Sequence, residues 1–434
     1  EFVPLADYQG NPIVLSLGGK TTLRLTAPEA NGNLVLNFLM LIPSSALPNS
    51  STVVVMPAPG AANVAGNAPI QVVIYDGGAS VDQNTVKMKV NAADVPATVS
   101  KSGGVTRATF SPATLWNANT TYNVSVSYDD GAPRSVEWSF TTANYQLLTP
   151  AMKVNDASVR GFVWRMFQNE ANQDTTVQRA EDALAGRLRD GSGNPLENYA
   201  DPYGFGPASD TGSPLTPGAG TMTFKIPTVI NVNQSLGGTA GYFTPDDAMP
   251  GIPGTTGSTD GIAVEITTFI ELARGFYTMG VNSDDGFRTY AGFLNDNPMI
   301  LGEYNGGRSA ADTLFQFGVL EDGVYAFRTI YFEGGGDATI EWFVVNPDGT
   351  RALINDSANG GPKSYQQGTV PQRPAENVVV NVKLNASGQV VIEWSAGTLE
   401  AADNVDGPYN AVGGASSPWV VTPAGQKFYR VRVM

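Results

Sequence analysis

Residues 275–290 read GFYTMGVNSDDGFRTY. Aromatic, β-branched and small residues run with strand-like alternation to Ser283. The pattern then breaks at Asp284-Asp285-Gly286 and resumes through Phe287, Thr289 and Tyr290. A period near two on both sides of a short acidic, glycine-terminated break is the signature of two strands joined by a tight turn. Working outward, 263–270, 275–281, 286–291, 324–332 and 338–345 carry the same signal. Asn346-Pro-Asp-Gly349 is then a hairpin turn into a strand at 351–354. The fold class this implies is all-β, built as multi-domain β-sandwiches.

Composition supports a chain of several cores. At 434 residues it exceeds one ordinary core, and a prior of ~150 residues per domain suggests about three. Gly (49) and Pro (29) are frequent, as many short strands with tight turns require. The formal net charge of −15 argues against nucleic acid as a partner and against an anionic membrane surface, while it suits hard cations such as calcium. No stretch is apolar for long enough to predict membrane insertion. Cys and His are both absent, which excludes Ser–His–Asp and Cys–His nucleophilic sites, ordinary zinc sites and disulfides. The chain opens Glu1-Phe2-Val3 and reads as a mature, processed chain or a fragment of a longer one.

Along the chain, 1–48 reads as N-terminal β-strands, at 21–26 and 34–42. They form either part of a jelly roll, whose closing strands they resemble, or an assembly strand. The stretch 49–67 is Pro-, Ala- and Ser-rich and reads as a linker interrupted by one strand at 52–55. Residues 68–143 carry strands at 70–75, 85–90, 106–110, 121–128 and 135–141 with turns between, and look like an immunoglobulin-type sandwich. Asp129 and Asp130 in that region read as hairpin turn chemistry, with cation binding as the other possibility. A second linker is expected at 144–157. Residues 158–357 form the largest unit and carry the one expected helix, from Val177, Ala180, Leu184 and Leu188 at helical spacing, ending near Gly191. A third linker is expected at 358–374, and 375–434 is a small C-terminal β-module with a hairpin over 378–394 and a final strand at 428–433. The six Trp residues fall mostly in strand patterns and read as core. Glu265 and Glu271 flank a strand and read as solvated surface.

The 275–290 segment, with 323–328 (GVYAFR) and 333–342 (EGGGDATIEW), resembles the protective-antigen-type lectin-like domain, also found in fungal flocculins and epithelial adhesins. The resemblance spans roughly 158–357. It implies that Asp284 and Asp285 are joined by a cis peptide and bind calcium, which in turn holds vicinal sugar hydroxyls. Two adjacent carboxylates supply the hard oxygen ligands that calcium takes. A second loop completes such sites, and Asn295-Asp296-Asn297 is the candidate. The metal set is then Asp284, Asp285, Asn295 and Asp296, and the glycan set Asp284, Asp285 and Asn297. The terminal module resembles short β-modules that end large modular bacterial secreted proteins.

These readings make the chain a non-catalytic, extracellular or cell-surface structural and adhesive protein, a subunit of a surface assembly or filament. Self-association by strand addition would use Phe2, Val3, Leu5 and Tyr8 in the first eight residues. The alternative is a calcium-dependent, glycan-binding adhesin acting as a monomer. A third reading is an accessory chain of a carbohydrate-degrading enzyme.

Overall fold

The computed structural model describes residues 6–7, 10, 12–14, 40–43, 50–203, 210–211, 220–235, 240–292, 298–369, 380–394, 397–405, 407–422 and 425–432. The strand expected at 21–26, most of that expected at 34–42, and Phe2, Val3, Leu5 and Tyr8 lie outside them. The chain is all-β apart from the helix Val177–Leu184 and two short 3-10 turns, among the described residues. It divides into two units, Glu1–Thr369 and Val370–Met434.

The first unit contains two sandwiches. In the smaller one, a four-stranded sheet runs in the order Ser50–Met56, Ile70–Asp76, Val105–Phe110, Thr98–Ser102. It faces a five-stranded sheet ordered Ala61–Val64, Pro133–Thr142, Thr121–Asp129, Asp82–Val90, Ala93–Val95. Ile70, Val72 and Ile74 from one sheet meet Val124, Val126 and Phe140 from the other, as alternation along paired strands dictates. The expected linker at 49–67 is therefore corrected. The strand expected at 52–55 is present as Ser50–Met56 and pairs with Ile70–Asp76, and a further strand, Ala61–Val64, pairs with Pro133–Thr142, while Pro57, Pro59 and Gly60 fall at the turn between them. The Asp129/Asp130 pair serves local structure. Asp129 Oδ1 accepts the Gly131 N–H, and buried Asp130 accepts from Ser50 Oγ at 2.6 Å and Arg134 Nε at 3.0 Å.

The larger sandwich stacks a seven-stranded sheet on a nine-stranded one. The seven-stranded sheet is centred on Gly275–Asp284, with Ala311–Val319 and Thr339–Val345 on its two sides and Asn231–Asn233 beyond the latter. The nine-stranded sheet is centred on Ile262–Leu272 and Gly323–Glu333, with Phe162–Gln168 and Gly286–Ala291 outside them. Phe162, Trp164, Phe287, Phe317, Phe327, Tyr331 and Trp342 fill the space between and are buried. Burying an aromatic or large aliphatic side chain of this kind is worth ~1.5–3 kcal/mol.

Both remaining linkers of this unit are corrected as well. Gln146–Leu148 pairs in parallel with Ala311–Val319, and Asn155–Arg160 pairs with Ser364–Thr369, which also pairs with Ile262–Leu272. These strands are short, three to six residues, too brief for a period to be read. The Asn346–Gly349 turn forms as expected. Asn346 N–H donates to Thr350 O, Gly349 takes a φ of 84°, and Arg351–Leu353 follows. The helix starts at an N-cap, Thr176, whose side chain accepts from Arg179 N–H. It stops at Leu184 rather than near Gly191, because Gly186 turns left-handed at φ 65°. Val177, Ala180, Ala183 and Leu184 pack on Phe167, Ala263, Ile330 and Phe332, covering the outer face of the nine-stranded sheet.

The second unit holds two three-stranded sheets. Val380–Leu384, Val390–Trp394 and Trp419–Val421 make one, and Asn410–Ala411, Thr398–Ala402 and Phe428–Arg432 the other. Its expected hairpin and final strand are both present.

Candidate functional site

Asp284 ends a strand of one sheet, and Gly286 begins a strand of the other. Asp285 is thus the point where the chain crosses between the sheets at one tip of the larger sandwich. Asp284 is opposite Thr339 and Gly286 opposite Phe332 in their respective ladders. The crossing explains the glycine: a Cβ at 286 would lie 2.3 Å from the Phe332 ring and 2.5 Å from the Tyr304 carbonyl. The peptide between Asp284 and Asp285 is cis.

The tip is held by backbone donors and one arginine. Asp285 Oδ1 accepts the Arg308 N–H at 2.8 Å, and Oδ2 accepts the Gly334 N–H at 2.9 Å. The Arg308 guanidinium makes its hydrogen bonds to neighbouring carbonyls and hydroxyls rather than to the carboxylates. It donates to the carbonyls of Ser283 and Asp285, to Ser283 Oγ and to Thr313 Oγ1, with its charge 4.3 Å from the Tyr304 ring centre. Tyr331 Oη donates to the Asp284 carbonyl at 2.7 Å. Burial, reinforced by the neighbouring charges of Asp285 and Asp337, pushes the Asp284 carboxyl up to about 6.

Glu333, at the end of its strand and one residue before Gly334, was not singled out from sequence. It is 1% exposed, and neither carboxyl oxygen has a partner among the described residues. Burial, together with Asp260, Asp285 and Asp284, pushes it up to about 9, so it is neutral at pH 7. Its only sequence signal was a carboxylate in a strand register that otherwise points inward, as Tyr331 does.

The site has two hard carboxylates, little solvent and no guanidinium laid on either carboxylate, which suits a calcium ion as far as these two ligands go. Among the described residues no group of three or more His, Cys, Asp or Glu side chains is arranged to hold a metal. The second-loop candidates Asn295, Asp296 and Asn297 lie outside the described residues.

Glu265 departs from its expectation as solvated surface. Its carboxylate accepts from Arg165 Nε at 2.7 Å and Arg328 Nε at 2.6 Å, and the two arginines, working against burial, hold it below its usual range. A carboxyl fixed as an anion between two guanidinium groups is not a proton donor for hydrolysis. Glu271 accepts from Tyr365 Oη at 2.7 Å beside Lys363. Among the described residues no helix is long and apolar enough to cross a membrane.

Structures similar to this chain include the PA14 domain of MpAFP antifreeze protein, at 17% identity over 49% of this chain and 94% of that one, TM-score 0.27. The PA14 sugar-binding domain from RTX adhesin aligns at 17% identity over 45% and 96%, TM-score 0.26. The epithelial adhesin 9 A domain from Candida glabrata, in complex with Galb1-3GlcNAc, aligns at 11% identity over 53% and 100%, TM-score 0.30. No curated protein matches the chain. Residues 49–142 match the model of the bacterial Ig-like domain, a span that takes in the two strands before residue 67.

Proposed function

We propose that this chain is a non-catalytic, cell-surface adhesive protein whose larger sandwich binds a glycan through calcium held by Asp284 and Asp285. The observation that carries the reading is the acidic pair at the sheet crossing. Asp285 is fixed by two backbone N–H groups, and the Asp284 carboxyl is pushed up to about 6 by burial and by Asp285, with no ion pair among the described residues. A cation is the partner that such a pair lacks. Calcium, when bound, would supply open coordination positions for vicinal hydroxyls. The chain's own contribution is to aim and desolvate the two carboxylates. Binding to immobilised glycans is the test: it is expected with calcium, and lost with chelator and in Asp284→Asn/Asp285→Asn. Retention of glycan binding by that variant would sink the reading.

A second reading, self-association into a surface polymer, is favoured by one feature of the terminal unit. Val380–Leu384 is the edge strand of its sheet, and Val380, Val382 and Leu384 on it are exposed. Electron microscopy of the full chain is expected to show polymers that Val382→Lys disperses. Single particles at every concentration would remove this reading.

A further inference from the structure

The outer face of the seven-stranded sheet carries a row of polar residues that no part of the reading above uses. Asn231, Glu341, Asn282 and Asp312 lie side by side across four adjacent strands, each opposite the next in the ladder. Cross-strand neighbours of this kind have Cβ atoms ~5 Å apart. The segment after residue 239 closes over them. Glu341 Oε1 accepts the backbone N–H groups of Tyr242 at 2.8 Å and Phe243 at 2.7 Å, and Asp246 Oδ2 accepts those of Ala240 at 2.9 Å and, from its side chain, Asn233 at 3.3 Å.

The satisfied bonds fix which atoms are left over. Asn282 Nδ2 must face Asp312 Oδ1, at 2.7 Å, because a carboxylate only accepts. Asn231 Nδ2 must face the Pro245 carbonyl, at 3.1 Å, for the same reason. Asn231 Oδ1, Asn282 Oδ1 and Asp246 Oδ1 then have no partner among the described residues, and these residues are 6%, 6% and 5% exposed. All three are acceptors. Asn282 is also the ladder partner of Glu341.

Charge points the same way. Glu341 is fully buried and makes no ion pair among the described residues, nor does Asp246. Arg351, stacked 4.7 Å from the Tyr242 ring centre, pairs instead with Asp312 at 2.7 Å. Two buried carboxylates without a cation and three orphaned acceptor oxygens are costly unless something positive sits among them.

We infer that Glu341, Asp246, Asn231 and Asn282 form a second calcium site, beneath the 240–248 segment and two residues back along the strand from Asp284. Two carboxylates match a divalent charge, and two amide oxygens add the neutral hard ligands that calcium accepts. The ion would clamp this segment onto the sheet face and so act in stability rather than in glycan contact.

The test uses the full chain, stripped with chelator, and reads calcium stoichiometry by titration calorimetry, with terbium luminescence sensitised through Tyr242 as a second probe. Asp284→Asn/Asp285→Asn is expected to keep one equivalent of calcium. Adding Asp246→Asn or Glu341→Gln to that variant is expected to weaken the remaining binding by more than the ~10–100-fold of an outer-shell change. Asp246→Asn keeps oxygen acceptors for Ala240 and serves if Glu341→Gln fails to fold. A folded Asp284→Asn/Asp285→Asn protein with no calcium, or a retained equivalent that survives both added substitutions, would overturn the site and assign the orphaned oxygens to water. A single wild-type equivalent lost with Asp246→Asn but not with Asp284→Asn/Asp285→Asn would support this site and sink the glycan-site reading.

Discussion

On the outer face of the nine-stranded sheet, Glu265 lies between Arg165 and Arg328, and Arg328 reaches on to grip Glu181 of the helix with both terminal nitrogens at 2.7 Å. On the outer face of the seven-stranded sheet, Glu341 lies between Asn231 and Asn282 and, among the described residues, accepts hydrogen bonds from the backbone N–H groups of Tyr242 and Phe243. Both carboxyls are withdrawn from water at the middle of a strand. One is held below its usual range by arginines and the other is pushed up to about 7 by burial. The first arrangement closes on itself and fastens a helix to its sheet. The second holds no guanidinium on its carboxylate among the described residues, and at the Asp284/Asp285 tip Arg308 binds carbonyl oxygens rather than the carboxylates. Glu265, ion-paired to two arginines, is structural, whereas Glu341 and the Asp284/Asp285 pair, with no ion pair among the described residues, are the candidates for a ligand.

The largest effect should come from breaking the closed arrangement. Arg328→Ala leaves Glu265 and Glu181 without their shared partner beneath the helix. Removing one member of such a partly buried network costs on the order of 3 kcal/mol, read from urea unfolding. Glu341→Gln, in chelator, should cost far less, because it removes a charge that has no partner. Equal losses from the two substitutions would erase the distinction.

Next in size is the pH dependence of stability in chelator. Glu341 at about 7, Asp284 at about 6 and Glu333 at about 9 are all raised above the unfolded values near 4. Between those limits the folded state holds protons that the unfolded chain has released. Their contribution is therefore complete below the unfolded values and is lost as pH rises through about 6 to 9. Glu265 has the opposite sign: its contribution is present above its unfolded value and is lost as pH falls through its lowered folded one. Urea midpoints from pH 4 to 9 should thus fall as pH rises. Glu341→Gln should flatten that fall, whereas Glu265→Gln should lower the midpoints across the window without changing their slope on the alkaline side. A profile of Glu341→Gln parallel to wild type would show that Glu341 does not titrate in this window.

Gly334→Ala comes third. A Cβ there would meet the Gln173 carbonyl at 2.5 Å, and the same residue's N–H holds Asp285 Oδ2. Overpacking of this kind costs ~1–3 kcal/mol. Glycan binding should weaken with it, measured against the unchanged binding of a variant such as Gly349→Asn, whose turn is open.

Much of this was legible in the sequence where a period or a turn was long enough to read. The alternation around 275–290, the Asn346–Gly349 turn and the strands at 121–128 and 135–141 all sit in the expected elements. What failed was the reading of the stretches between sandwiches as linkers, since Ala61–Val64, Gln146–Leu148 and Ser364–Thr369 are pairing strands whose identity depends on distant partners. The site was half legible. Asp284 and Asp285 carry a local pattern, whereas Glu333, Asp246 and Glu341 acquire their meaning from burial and from what fails to touch them. No spacing along the chain announces an acid that lacks an arginine.

The smallest effect probes the comparison from outside. Lys153 and Glu321 form an ion pair of 2.7 Å, as short as those of Arg328, but their side chains are 31% and 54% exposed. Water already solvates both charges, so pairing them recovers little, and exposed pairs contribute ~0–1 kcal/mol. Glu321→Gln should therefore shift the urea midpoint barely, and less still at high salt, where screening removes most of the attraction. Glu321→Gln keeps the side chain's size, so the packing of the Lys153 stem against Gly323 is left intact. A loss near that of Arg328→Ala would mean that ion-pair length, rather than burial, sets the energetics here. The contrast between Glu265 and Glu341 would then rest on geometry alone.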